Sequence, residues 1–217
     1  MNRSLLRITT LLGILLSVAG LVHGIYECLQ GNHPTGGLII QAIGDAQQNW
    51  QYGTEEAFTL MPTFLSAGVA SILVSMSLLV WSLFFLAKKQ GATVFLLLCV
   101  LLFLVGGGIA QLVFFLPGWG AATRINRRLK PWKLAGFAKF IAPFWPVLAG
   151  VGMVSFFIGL IISVTGFVPG VAAGEAERIL NICWSFIFGG GWIGFFLAYV
   201  SGFAKDSITN VKILENK

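Results

Sequence analysis

The chain has 217 residues, of which 57% are hydrophobic and only 10% are charged, and its formal net charge is +6. Because an average soluble domain is about 25% charged, a soluble fold with this composition would expose a large apolar surface and aggregate. The composition therefore excludes an ordinary soluble domain and predicts a protein whose solvent is the lipid bilayer.

Stretches without Asp, Glu, Lys or Arg divide the chain, and each exceeds the roughly 18 residues that mark a membrane span. They cover 8–26, 57–87, 90–123, 140–174 and 179–204. We predict an all-α integral membrane protein with four full transmembrane helices plus a glycine-broken central helical hairpin. The chain forms a single membrane domain over 1–217, with predicted spans at about 5–27, 60–87, 92–122 (the hairpin), 143–167 and 179–203.

The first span follows Arg3 and Arg7 and resembles the start of a signal peptide. Small residues at Ser17-Val18-Ala19 leave cleavage after Ala19 open. The apolar run continues to Tyr26, however, and is long enough to cross the membrane, which favours an uncleaved span.

The loop 28–59 is predicted to be extracytoplasmic, since it holds Asp45, Glu55 and Glu56 and no Lys or Arg. Its apolar piece 38–43 is too short to cross and is expected to touch the membrane or the bundle. Thr54 followed by two acidic residues predicts the start of the second helix, with Pro62 in its first turns.

The stretch 90–123 would be about 51 Å long as one helix, against a hydrocarbon core of about 30 Å. Gly106–Gly108 interrupt it, so it either forms two short arms with a glycine tip or crosses once and ends at the glycines. If it returns, only Arg178 of the 14 Lys and Arg residues lies outside, whereas a single crossing leaves at least five outside. The positive-inside rule therefore favours the hairpin, with both termini cytoplasmic in the plasma (inner) membrane.

A basic segment with interleaved aromatic residues follows this stretch. Because such segments lie beside anionic headgroups, the predicted partners are the lipid bilayer and anionic lipids, not nucleic acid. The residues predicted to contact headgroups are Arg124, Arg127, Arg128, Lys130 and Lys133.

His23 and Glu27 lie four residues apart and share one helix face near the outer end of the first span. With Glu55 and Gln111 they form the candidate polar site, and the hairpin tip is Gly106, Gly107 and Gly108. Ionisable groups in a span are functional candidates, as a proton relay or as metal ligands helped by His33, Asp45 or Glu55. The plainer interpretation, a hydrogen-bonded pair at the interface, is favoured, because two ligands do not make a metal site. No catalytic residue, metal or cofactor is predicted.

The cysteines Cys28, Cys99 and Cys183 form no disulfide framework, and whether Cys28 and Cys183 pair stays open. Small residues at four-residue spacing permit close helix contacts within the chain or between copies. They are Gly20/Gly24, Gly166/Gly170/Gly174 and Gly190/Gly194. A second copy or another membrane protein therefore stays open as a partner.

Residues 15–123 resemble a group of small prokaryotic polytopic membrane proteins of unknown activity. The shared features are a His-Gly-x-x-x-Glu stretch, a Gln-Gly-Asn turn, a proline-started second span and a triple glycine. Here they map onto His23, Gly24, Glu27, Gln30, Gly31, Asn32, Pro62 and Gly106–Gly108. This chain has Ile109-Ala110-Gln111 where the group often has another glycine and prolines. The resemblance implies a membrane fold and no activity.

The sequence contains no Walker A loop, nucleophile elbow or dinucleotide fingerprint. The leading hypothesis is a non-enzymatic membrane protein with accessory or structural work. The first alternative is a small-solute or ion transporter that uses the hairpin and the His23/Glu27 face. The second is a membrane enzyme with a metal site on its outer face.

Overall fold

The computed structural model describes residues 1–130 and 135–215, and Lys133 lies outside the described residues. Most of the described chain is helical, and its sheet has two strands. The α-helices are α1 (Arg3–Leu29), α2 (Phe64–Phe84), α3 (Gly91–Leu104), α4 (Leu112–Ala122), α5 (Ala135–Ile141), α6 (Trp145–Thr165), α7 (Ala176–Trp184) and α8 (Ile193–Glu215). Short 3₁₀ turns cover Asp45–Gln47, Ile109–Gln111 and Ala142–Phe144, and a π-helix covers Ser185–Trp192.

Four helical segments are long and apolar enough to cross a membrane. They are Arg3–Leu29, Phe64–Phe84, Gly136–Thr165 and Ala176–Asn210, while α3 and α4 are shorter apolar helices. Large apolar side chains such as Leu73 and Val154 point outward, with about 60% of their surface exposed. Long apolar helices with apolar outer faces are features of a helical membrane protein.

The helix α1 is the centre of the bundle and packs against α2, α4, α6 and α8. Its buried face carries leucines and Ile8, and its glycines let α2 come close. A Cβ on Gly24 would lie 2.8 Å from the Gly68 carbonyl oxygen, and one on Gly20 would lie 2.4 Å from the Ser75 hydroxyl. The Gly20/Gly24 spacing therefore serves helix packing within this chain.

The stretch 90–123 runs out and returns to the same end of the bundle. The Asn126 side-chain amide donates to the Ala87 carbonyl at 2.7 Å, so the start of α3 and the end of α4 are neighbours. At the opposite end, the Leu60 N–H donates to the Leu104 carbonyl at 2.9 Å. The arms α3 and α4 thus form a helical hairpin whose glycine tip lies against the loop 30–63.

The two ends of the bundle carry opposite charge. We name as the basic end the side with the N-terminus, the α2–α3 turn, the segment after α4 and the last turns of α8. Its basic residues are Arg3, Arg7, Lys88, Lys89, Arg124, Arg127, Arg128, Lys130, Lys139 and Lys205, all exposed. The acidic end has the loop 30–63, the hairpin tip and the α6–α7 connection. Outside the helices its charged residues are Asp45, Glu55, Glu56 and Glu175.

The loop 30–63 is folded, and the prediction that a helix starts at Thr54 is wrong. Strand β1 (Ile39–Gln41) pairs antiparallel with β2 (Glu56–Phe58), and this pairing buries Ile40 against Ala57. The helix begins instead at Phe64, where Thr63 and Ser66 cap each other's backbone. Pro62 consequently precedes the helix and is not in its first turns. The strand pairing satisfies the backbone of residues 56–58, which a helix start there would have to break.

The last predicted span, 179–203, is not one regular helix. The α7 and α8 helices are joined by the π-helix Ser185–Trp192, which contains Gly189, Gly190 and Gly191. A Cβ on Gly190 would lie 2.2 Å from the Ser155 hydroxyl, and one on Gly194 would lie 2.9 Å from the Gly152 Cα. These glycines therefore let α6 pack closely against the π-helix and the start of α8. π-Turns inside α-helices occur frequently at functional sites.

The N-terminus of α1 is capped by a residue from the far end of the chain. The buried Asp206 on α8 accepts the Ser4 N–H at 3.1 Å and the Leu5 N–H at 3.0 Å. A carboxylate at a helix N-terminus satisfies free N–H groups and lies at the positive end of the helix dipole. This contact fixes the two chain ends together at the basic end.

The three cysteines are free thiols. Cys183 is buried and donates to the Gly159 carbonyl at 3.3 Å. The structure therefore contains no bridge between Cys28 and Cys183.

Candidate polar site at the hairpin tip

The glycine tip lies directly on the two ionisable residues of α1. A Cβ on Gly106 would lie 2.5 Å from Glu27 Oε1, and one on Gly108 would lie 2.9 Å from His23 Nε2. Both glycines have positive φ angles, +124° and +99°, which residues with a side chain rarely adopt. The tip is therefore built of glycine both to turn the chain and to admit the α1 side chains.

Glu27 is completely buried between α1, α2 and the tip. The Ser71 hydroxyl oxygen lies 3.4 Å from Glu27 Oε2 and 3.1 Å from the Val105 carbonyl oxygen. Glu27 Oε1 has no hydrogen-bond partner within the described residues. A buried carboxyl with a single hydroxyl neighbour is rare, because such groups are normally fully hydrogen-bonded.

His23 lies one turn before Glu27 and faces a different partner. Its Nε2 is 3.1 Å from Glu55 Oε2, and its Nδ1 is buried without a partner in the described chain. Glu55 Oε1 accepts the Ser163 hydroxyl of α6. Glu55 therefore links α1 to α6 from the folded loop.

The pKa of Glu55 reflects opposing effects. Burial raises it, whereas the hydrogen bond and electrostatic interaction with His23 and the hydrogen bond from Ser163 lower it. The net result is a pKa below the usual value for a glutamate. The Glu55 side chain thus stays ionised beside the histidine at neutral pH.

Further contacts tie the loop to the end of α6. The Trp50 indole N–H donates to the Ser163 carbonyl at 2.9 Å, and the Asn49 amide donates to the Val164 carbonyl at 3.2 Å. A Cβ on Gly166, which ends α6 with φ +65°, would lie 2.6 Å from the Trp50 ring. The loop is consequently a fixed cover at the acidic end.

Beside the tip lies a cavity of about 440 Å³. Its polar lining residues are His23, Gln111 and the loop residues Thr54, Glu55 and Glu56. Its larger apolar lining residues are Phe156, Leu160, Trp184, Ile187 and Phe188 from α6, α7 and the π-helix. Since Trp184 and Phe188 are also about half exposed on the outer surface, the cavity lies close to the bundle's apolar exterior.

Gln111 anchors the tip from the start of the returning arm. Its side-chain amide is buried and donates to the Gly107 carbonyl. That bond satisfies a carbonyl that the break between α3 and α4 leaves without a helical partner. Gln111 thus both supports the tip and lines the cavity.

The structure brings His23, Glu55 and Gln111 to one cavity and places Glu27 on the other side of the same tip. Among the side chains that the structure describes, no group of three or more His, Cys, Asp and Glu residues could hold a metal ion. The metal-site alternative would require such a group. The sequence did not predict Ser71, Ser163 or the aromatic residues that line the cavity. A single serine or tryptophan in an apolar helix has no pattern that distinguishes a site residue from a packing residue.

The basic residues predicted to contact lipid lie far from this site. Arg124, Arg127, Arg128 and Lys130 are exposed at the basic end. Among the described residues, the ion pairs are His23–Glu55 and Arg178–Glu175, so these four guanidinium and ammonium groups remain available to anions.

Comparison with protein-family models, curated proteins and solved structures finds no match to this chain.

Proposed function

We propose that this chain is a non-enzymatic integral membrane protein of the plasma (inner) membrane. It has four full spans, and the α3–α4 hairpin enters from the basic end and returns there. The separation of charge between the two ends supports this topology, because Lys and Arg concentrate on the cytoplasmic side. Both termini are then cytoplasmic.

The topology can be tested with a membrane-impermeant thiol reagent in intact cells. The variant carries Asn126→Cys in a chain whose three native cysteines are replaced, and the matched control carries Ala173→Cys at the acidic end. We expect Ala173→Cys to react at once and Asn126→Cys to react only after the membrane is opened. Labelling of Asn126→Cys from outside would contradict the returning hairpin.

Within this topology, we propose that the cavity beside His23 binds a small amphiphilic cation. The observation that carries the proposal is a lining that combines acidic and polar residues with aromatic ones. Small-molecule sites are mostly apolar concavities of roughly 300–1,000 Å³ with a few placed polar groups. The cavity volume falls within that range.

The sign of the ligand charge follows from the lining. Glu55 and Glu56 face the cavity, and no Lys or Arg is among the described residues that line it. A positive head group would lie near these carboxylates. The aromatic lining residues Phe156, Trp184 and Phe188 would contact an apolar body and attract a cation placed over a ring face. An anionic ligand would meet like charge and bind poorly.

Binding of tetraphenylphosphonium to purified protein in nanodiscs, followed with an ion-selective electrode, tests this proposal. Ala110→Trp would fill the cavity, because Ala110 lines it, and we expect at least a tenfold loss of affinity. The matched control Ala173→Trp adds the same ring to an exposed loop position at the same end. No saturable binding to the wild type, or equal binding to both variants, would refute the cavity as the site.

A second candidate, transport of a small solute or ion, is favoured by one specific feature. The hairpin that lines the cavity is broken by glycines between two short apolar helices, as in transporters whose broken helices border a substrate site. Solute flux into proteoliposomes that is lost on Glu27→Gln would support transport. Binding without flux for any solute in a broad panel would contradict transport and support a binding role only.

We also propose that the exposed basic residues after α4 contact anionic lipid headgroups. Each Lys or Arg near an anionic surface contributes about 1 kcal/mol. Native mass spectrometry should show phosphatidylglycerol retained by the wild type and lost from a variant with Arg124, Arg127 and Arg128 changed to Gln. Unchanged retention would refute this contact.

A further inference from the structure

The surroundings of the Glu27 carboxyl group disfavour a negative charge. It is fully buried in the last turn of α1, and the tip at Gly106, just beyond the end of α3, lies against its oxygens. Helix C-termini carry about half a unit of negative charge each. Two such ends therefore converge on this one carboxyl.

No basic side chain compensates the group. Helix α2 and the tip 105–108 contain no ionisable residue, and the ionisable residues of α1 within four positions of Glu27 are His23, Tyr26 and Cys28. The described contacts pair His23 with Glu55 on the cavity side, and the Cys28 thiol is neutral in its ordinary state. An ionised carboxylate buried without a partner costs several kcal/mol.

The number of hydrogens available at Ser71 indicates that the Glu27 carboxyl carries a proton. The Ser71 hydroxyl has one hydrogen, and the Val105 carbonyl at 3.1 Å can only accept it. The contact between Ser71 Oγ and Glu27 Oε2 at 3.4 Å then lacks a hydrogen unless the carboxyl supplies one. A protonated Glu27 donates to Ser71 and completes the chain Glu27–Ser71–Val105.

We propose that Glu27 is a site for one exchangeable proton, sealed from the outer solution by the glycine tip. The tip separates Glu27 from the cavity, where Gly108 contacts the His23 ring. His23 lies one turn away, about 6 Å along α1. In the neutral ring with its hydrogen on Nε2, facing Glu55, the unpartnered Nδ1 can accept the proton. Its other nitrogen contacts Glu55, so a path runs from Glu27 through His23 to the loop.

The tip is also the element that can open this path. It joins α3 to α4 through two glycines in the left-handed region and is tied on the α4 side by the Gln111 side chain. A small displacement of the tip would expose Glu27 to the cavity without disturbing α1 or α2. A proton site at Glu27 needs no ligand in the cavity.

Infrared spectroscopy of the purified full chain tests the proposal without any ligand. We expect the C=O stretch of one buried carboxylic acid per chain at neutral pH, a shift of this band in D₂O, and its disappearance in Glu27→Gln. The matched control Asp45→Asn, which removes an exposed carboxyl at the same end, should keep the band. If Glu27→Gln fails to fold, Ser71→Ala should move the band by removing its hydrogen-bond acceptor.

Three results would overturn the proposal. The first is the absence of a carboxylic acid band that responds to Glu27→Gln or Ser71→Ala. The second is a band that does not shift in D₂O while the protein stays folded, because the proton is then not exchangeable. The third is stoichiometric binding of radioactive Na⁺ that depends on Glu27, since the site then holds a metal cation. None of these measurements involves tetraphenylphosphonium, so they fail or succeed separately from the cavity proposal.

Discussion

Replacing Gly106 by alanine tests the packing of the glycine tip against α1. The new methyl group would adopt φ +124° and lie 2.5 Å from Glu27 Oε1 and 2.6 Å from Oε2. A sparsely populated backbone conformation costs about 1–3 kcal/mol, and an overpacked methyl group costs about 1–3 kcal/mol. We therefore expect Gly106→Ala to lower the free energy of unfolding by at least about 2 kcal/mol.

The assay is thermal unfolding of the detergent-solubilised chain, followed by intrinsic tryptophan fluorescence. For a chain of this size, 1 kcal/mol corresponds to about 2–4 °C in Tm, so Gly106→Ala should lower Tm by at least about 4–8 °C. Gly120→Ala is the matched control, because Gly120 is helical, exposed and has open space around its Cβ position. There alanine should raise stability by about 0.5–1 kcal/mol.

An equal change in Tm for Gly106→Ala and Gly120→Ala would contradict the close contact between Gly106 and Glu27. If Gly106→Ala and Gly120→Ala shift Tm equally, or if Gly106→Ala raises it, the tip is not pressed against Glu27. The arrangement of α3, α4 and α1 described above would then be wrong at this point.

Three further predictions concern the contacts that hold the cover and the chain ends. Because the pKa of Glu55 is lowered in the folded state, its ionised form stabilises the fold above the ordinary carboxyl pKa, and that stability is lost as pH falls through the lowered pKa. The Tm gap between wild type and Glu55→Gln should therefore be largest at neutral pH and close on acidification, whereas the exposed Glu56→Gln should show no such closing gap. Asp206→Ala should cost about 1–2 kcal/mol by removing the cap of α1, measured by thermal unfolding, and a loss no greater than that of Asp45→Ala would contradict the cap. Trp50→Phe should cost about 1 kcal/mol by removing one hydrogen bond and speed proteolytic cleavage within 44–54, and an unchanged cleavage rate would show that the indole does not hold the loop.

Charge and hydropathy alone determined the general architecture. Because burying an unpaired charge in lipid is costly, charged residues are confined to the ends of spans, and the uncharged stretches predict where the long helices lie. The stretch 90–123 is longer than the hydrocarbon core is thick, which made Gly106–Gly108 a predicted break. The count of Lys and Arg favoured a return to the basic end. The face shared by His23 and Glu27 follows from helical periodicity alone.

The tertiary structure decided which groups meet, because contacts between distant segments leave little trace in local sequence. Thr54 to Glu56 has the pattern of a helix start, yet a strand that begins at Glu56 pairs with Ile39–Gln41, and Glu55 just before it contacts His23. The glycine tip could be recognised as a break, but only packing shows that it covers Glu27 on one side and borders a cavity on the other. The cap that Asp206 provides joins residues about 200 positions apart, and no periodicity predicts such a contact.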